Sequence, residues 1–157
     1  MKNILLVMLF LYSGLLIAQN GLSENKIITP PEKVLFTFQK EYPNKEAVWS
    51  LNYVGDDDDE IRYEAKFNTD KNVKALAVYD NLGILRAFEQ QIPLSQLPLK
   101  AQNYLKKNYQ PKAIREIAVV VDYKSITTYE VGVEKNGKFY DLVFDKNGGF
   151  DVSIEKN

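Results

Sequence analysis

Five carboxylates stand in a row at Asp56-Asp57-Asp58-Asp59-Glu60, and no other stretch of the 157-residue chain gathers so many side chains that could do chemistry. Clustered carboxylates are the ligands of hard cations such as Ca²⁺. Consecutive turn residues point in different directions, however, and the spaced Asp-x-Asp-x-Asp-Gly pattern of a dedicated calcium loop is missing. The plainer reading is a solvated hairpin tip between two strands, where charge also discourages edge-to-edge aggregation.

The chain contains neither histidine nor cysteine. That removes the commonest general base and the commonest metal ligand, and with them Ser-His-Asp and Cys-His catalysis and His-containing zinc sites. It also removes disulfides and thiolate chemistry. Paired carboxylates could still hydrolyse a glycoside, but nothing singles out a pair. A small carboxylate-dependent hydrolase is therefore the weakest of three functional readings, and no catalytic residue and no cofactor are expected. With 20 basic against 21 acidic residues, the net charge of −1 gives no general pull toward nucleic acid or anionic membrane.

Aromatic residues offer another kind of site. Ten Tyr, eight Phe and one Trp favour pleated, half-buried surfaces. A sheet with one helix has a second face, which could present aromatics to a partner, as binding hot spots do. Tyr53, Tyr63, Tyr123, Tyr129 and Tyr140 are the candidates, against the alternative that most of them pack under the helices or between the two copies. Trp49 reads as core.

The elements that would position these residues are written twice. Pro31-Glu32-Lys33-Val34, Phe38 and Tyr42 align with Pro98-Leu99-Lys100-Ala101, Leu105 and Tyr109 at an offset of 67. Tyr63-Glu64 aligns with Tyr129-Glu130 at 66, and Val78-Tyr79-Asp80-Asn81-Leu82-Gly83 with Val143-Phe144-Asp145-Lys146-Asn147-Gly148 at 65. Such ordered self-similarity marks a duplication. In the first copy Thr29-Pro30-Pro31-Glu32 reads as a capping box with proline in the first turn. Val34, Leu35, Phe38 and Tyr42 then share one helical face, and Pro43 and Asn44 end the helix. In the second copy Ser95 or Leu97 precedes the start, Pro98 lies in the first turn, Ala101, Tyr104 and Leu105 form the stripe, and Pro111 ends it.

After each helix the period changes to two. Ala47, Trp49, Leu51, Tyr53 and then Ile61, Tyr63, Ala65, Phe67 alternate with more polar neighbours. So do Ile117, Val119, Val121, Tyr123 and then Tyr129, Val131, Val133. This alternation predicts antiparallel strands with one buried face. Asn136-Gly137 predicts a two-residue hairpin, and Asp80 to Gly83 and Asp145 to Gly148 predict four-residue turns. The fold class expected is α+β: two tandem helix-plus-four-strand repeats, αβ4 twice, with the helices on one sheet face. The place of the acidic run is taken by Lys124-Ser125-Ile126 in the second copy, so that run lies outside the repeated scaffold.

Met1-Lys2-Asn3 is followed by a nearly continuous apolar run from Ile4 to Ile17, then Ala18 and the polar Gln19-Asn20-Gly21. This pattern predicts a secretory signal peptide over residues 1–18. The alternative is an uncleaved membrane anchor, against which the run would reach only about 21 Å as a helix, short of the ~30 Å hydrocarbon core. Cleavage after Ala18 would leave a flexible segment at 19–26, the first repeat at 27–92 and the second at 93–157. The mature protein would be periplasmic or secreted, with no lipoprotein cysteine and no membrane attachment.

The order Val34, Phe38, Tyr42-Pro43, Val48-Trp49, Tyr63-Glu-Ala-Lys-Phe67, Val78-Tyr-Asp-x-x-Gly83 resembles the PepSY-like family of exported Gram-negative proteins, grouped with the beta-lactamase-inhibitor-like fold. Leu97-Pro98, Tyr109 and Val143-Phe-Asp-x-x-Gly148 resemble the second half of the same pattern. The resemblance covers roughly residues 27–155 and implies a binding or inhibitory module. The leading expectation is thus an exported non-enzymatic binder of another envelope or exterior protein, acting through its sheet face. A calcium-dependent adhesion or sensing protein using the 56–60 loop stands second.

Overall fold

The computed structural model describes residues 28–54, 60–69 and 73–156. The sequence expectations for the signal peptide, for the segment 19–26 after it, and for Asp56, Asp57, Asp58 and Asp59 fall outside these residues. The element order is α1 (Glu32–Glu41), β1 (Val48–Val54), β2 (Glu60–Asn68), β3 (Lys74–Asp80), β4 (Leu85–Gln91), α2 (Leu99–Asn108), β5 (Ile114–Asp122), β6 (Thr127–Lys135), β7 (Lys138–Asp145) and β8 (Phe150–Lys156). The strands form an eight-stranded sheet whose order is the chain order. The pairings β1–β2, β2–β3 and β4–β5 through β7–β8 are antiparallel. The α+β class and the hairpin-linked antiparallel strands stand as read from periodicity. The chain divides into two compact units, one ending at Arg86 and the other containing Ala87 onward.

In the unit ending at Arg86, α1 buries Val34 and Phe38. The Phe38 ring meets Trp49 edge-on at 5.3 Å and Phe67 at 5.2 Å, and Tyr42 lies 4.6 Å from Phe67. Aromatic pairs at these separations add to the burial of their area. Trp49 is therefore core, as its place in the alternation suggests. The Tyr79 hydroxyl donates to Glu41 Oε2 at 2.8 Å, tying β3 to the end of α1.

In the unit from Ala87, Leu97, Ala101 and Leu105 pack on Ile117, Val131, Val133, Leu142 and Phe144. Each buried aliphatic side chain of this kind contributes roughly 1.5–3 kcal/mol. Tyr104 stacks on Phe150 with centroids 4.8 Å apart.

Both helix starts differ from expectation. Pro31 and Pro98 are N-caps with extended backbone and no side-chain cap hydrogen bond, so Thr29-Pro-Pro-Glu32 forms no capping box. The cause is local: a residue before proline is pushed out of the helical region. Thr29 and Pro30 both precede a proline and cannot enter the first turn. The helix therefore begins only after the last of them, with Val34 and Leu35 amides donating to the Pro31 carbonyl.

The turns are more uniform than the sequence implied. At Asp80, Asp122 and Asp145 one carboxylate oxygen accepts from the amides two and four residues on, at 2.8–2.9 Å. The residue three positions on is left-handed in every case: Gly83 (φ 78°), Ser125 (φ 60°) and Gly148 (φ 78°). In the Gly83 and Gly148 turns this glycine touches the helix. A Cβ on Gly83 would lie 2.7 Å from the Lys33 carbonyl oxygen, and one on Gly148 would lie 2.8 Å from the Ala101 nitrogen.

Candidate functional site

Strand register decides which side chains share a face. Cross-strand partners point the same way, and successive residues alternate. Trp49 pairs with Ala65, Tyr63 with Tyr79, and Tyr53 with Ile61, so these tyrosines share the helix side of their unit. Tyr129 and Tyr140 pack against the core under α2. Tyr53 is 54% exposed, and Tyr123, in the β5–β6 turn, is 49% exposed. The five tyrosines do not gather into one patch on the face turned away from the helices.

That face carries carboxyl groups instead, which the sequence reading did not single out. In the unit ending at Arg86 it bears Arg62, Glu64, Lys66, Val78 and Asp80. The Ser50 hydroxyl donates to Glu64 Oε2 at 3.0 Å. Arg86 donates through Nε and Nη2 to Asp80 Oδ2 at 2.9 and 2.5 Å. Burial alone would raise the Asp80 carboxyl, but the Ile84 and Leu82 amides and the Arg86 guanidinium outweigh it and hold the group below its usual range. Glu60 pairs with Arg62, so the described end of the acidic run is engaged in an ion pair.

In the unit from Ala87 the same side of the strands holds Glu89, Glu116, Glu130 and Asp141. Glu130 pairs with Ala118, while Glu116 and Asp141 both pair with Gly132. Gly132 thus stands between two carboxylates with no side chain of its own. All four acids are buried, Glu89 completely. Neither carboxylate oxygen of Glu89 has a hydrogen-bond partner among the described residues. Burial, reinforced by Glu130, Glu116 and Asp141, pushes the Glu89 carboxyl well above its ordinary range. Burial and Asp141 push Glu130 to about 8. Asp141 is also raised by burial, against the opposing effect of Lys156, with which it forms an ion pair.

Chemically, this is a buried cluster of carboxyl groups, in which burial favours the neutral form of Glu89 and Glu130. Among the described residues no group of three acids is placed to hold a metal ion. The expectation that polar strand positions face solvent fails here. Leu76, Val78, Ala118 and Val120, on the side away from the helices, are all at most 6% exposed. Both faces of β3 and β5 are therefore buried. The signal was faint in the sequence, because each acid lies in a different strand and only the register assembles them.

A family model described as "Putative beta-lactamase-inhibitor-like, PepSY-like" matches residues 62–151. Among solved structures, one of "putative periplasmic proteins" from Bacteroides eggerthii is similar at a TM-score of 0.68 and 14% identity, over 81% of this chain and 89% of that one. A DUF2874 family protein from Bacteroides ovatus is similar at 0.63 and 20%, over 82% and 89%. A BLIP-like protein from Bacteroides fragilis is similar at 0.58 and 20%, over 82% and 87%. These likenesses establish a shared fold. No curated protein sequence matches the chain.

Proposed function

The chain belongs to the PepSY-like, beta-lactamase-inhibitor-like family, and from that premise we propose that it is an exported, non-enzymatic binding module. It docks another protein of the envelope or exterior on the sheet face turned away from its helices. The observation that carries this reading is the content of that face. Register lines up Glu64 and Asp80 in one unit and Glu89, Glu116, Glu130 and Asp141 in the other, while α1 and α2 occupy the opposite sides of their units. Polar groups held in fixed register on a sheet set which partner fits more than they stabilise a fold.

Three finer statements belong to the same proposal. The two αβ4 halves are copies of one unit, since Gly83 meets the first turn of α1 as Gly148 meets that of α2. The apolar start of the chain is a signal peptide cut after Ala18, in keeping with the periplasmic description of the Bacteroides eggerthii relative. Tyr53, on the helix side of β1, and Tyr123, in the β5–β6 turn, are half exposed and stand as contacts outside that face. The BLIP-like relative makes inhibition of an envelope or secreted enzyme the form of binding to look for first. Mild crosslinking of the exported protein in its own envelope tests the proposal. A discrete protein adduct that co-purifies is expected, and recovery of the uncrosslinked chain alone would overturn it.

A further inference from the structure

We infer that β1 is the seam of a homodimer, in which two copies of this chain pair their β1 strands antiparallel about a two-fold axis at Leu51. β1 ends the strand order, and among the described residues its strand neighbour is β2 alone. An edge strand offers a row of backbone amides and carbonyls on its outer side to a further strand. This edge is accessible: none of its seven residues is buried, Val48 is 73% exposed and Tyr53 54%. It also carries none of the devices that keep edge strands apart. Val48–Val54 holds no proline and no charged side chain, and its pairing with β2 runs without a bulge. The other edge, β8, is guarded by Asp151, Glu155 and Lys156, and its pairing with β7 skips Asp151. Two β8 strands centred on Ser153 would set Asp151 against Glu155, and like charges directly opposite destabilise a pair.

The order of residues in β1 argues for a second copy as the occupant. Val-Trp-Ser-Leu-Asn-Tyr-Val reads nearly alike in both directions. A two-fold contact requires this, because residue i meets j and j meets i. Centred on Leu51, the antiparallel register sets Val48 against Val54 of the second copy, Trp49 against Tyr53, Ser50 against Asn52, and Leu51 against itself. Each match joins residues of one chemistry, and no charge is opposed. Aromatic pairs and hydroxyl hydrogen bonds across strands are stabilising contacts. Cross-strand partners share a face, so Trp49, Leu51 and Tyr53 meet their counterparts on the helix side of the sheet. Pairing β1 with β8 of the next copy would leave a free edge at each end and grow a filament, whereas the two-fold pair closes. An edge of seven residues, roughly 24 Å long, covers less than the ~800 Å² per partner of a standard interface. The dimer therefore belongs to the weak, concentration-dependent class.

Sedimentation of the purified protein over a range of concentrations tests the seam. A reversible monomer–dimer equilibrium is expected, and a chain still monomeric at about 1 mM would overturn the inference. Trp49, the single tryptophan, faces Tyr53 of the second copy, so its emission should shift over the same dilution range. Emission constant across that range would count against the seam as decisively. Val48→Glu with Val54→Glu, or Val48→Lys with Val54→Lys, sets like charges opposite each other at both ends of the seam. Within one chain the two positions are about 20 Å apart. Either double variant alone should weaken dimerisation about tenfold, with the melting temperature of the dilute monomer close to the parent's. An equimolar mixture of the two sets opposite charges together and should regain the dimer. Dimerisation untouched by both double variants, or a mixture no tighter than either alone, would overturn the register. The docking reading is independent of this seam. A chain–chain adduct is told by its mass from an adduct with another protein, so either reading can fall while the other stands.

Discussion

Glu130 is held near neutrality by its surroundings, with a carboxyl pushed up to about 8 by burial and by Asp141. A carboxyl group whose pKa is raised on folding binds protons more tightly in the native state. Its contribution is then favourable at low pH and is lost as pH rises from the unfolded value toward the folded one. Glu89 shifts in the same direction. Between about pH 4.5 and 8 the parent protein should therefore lose stability that the Glu130→Gln variant keeps, and urea unfolding across that range reads the difference. Asp80 acts in the opposite sense, its lowered carboxyl losing stability only in more acid solution. At Tyr79 the hydroxyl bonded to Glu41 predicts that Tyr79→Phe costs about 1 kcal/mol in the same assay. At this scale the sequence was informative about aromatics and silent about acids. Phe38, Trp49 and Phe67 announced themselves by spacing. Glu89 and Glu130 look like any outward-facing strand residue until the register is known.

Elements were legible where one period runs long enough. The alternation from Ile61 to Phe67 and from Ile117 to Val121 placed β2 and β5, and Asn136-Gly137 placed the β6–β7 turn, where both residues take positive φ. The start of α1 was misplaced because Pro30 and Pro31 delay the first turn, and that of α2 because Pro98 caps the helix instead of lying in its first turn. The turn at Asp122 escaped notice because Ser125 fills the left-handed position that glycine holds at 83 and 148. Those two glycines carry an element-scale prediction. At each, alanine would need positive φ and would press its Cβ on helix backbone at 2.7 or 2.8 Å. Gly83→Ala and Gly148→Ala should each destabilise by about 1–3 kcal/mol, seen as a lower melting temperature. At Gly137 nothing lies within 4 Å of an added Cβ. Gly137→Ala bears only the backbone strain and should cost less than either.

At the scale of the whole molecule, the eight strands follow one another in chain order, and the helix of each half takes one side of its own unit. Composition foretold the class, and the missing histidine and cysteine steered attention from chemistry to surface. What no single-sequence pattern could supply is which surface, because a polar position in an antiparallel strand reads alike whether it faces water, a partner or another carboxylate. Site-resolved photocrosslinking in the exported protein tests the central claim most directly. A photoreactive side chain at Asn52 or Thr128, on the face turned away from the helices, should capture a protein partner. The same group at Gln39 or Lys106, on the exposed outer surfaces of α1 and α2, should not. Capture from the helix positions alone, or from none of the four, would contradict the account.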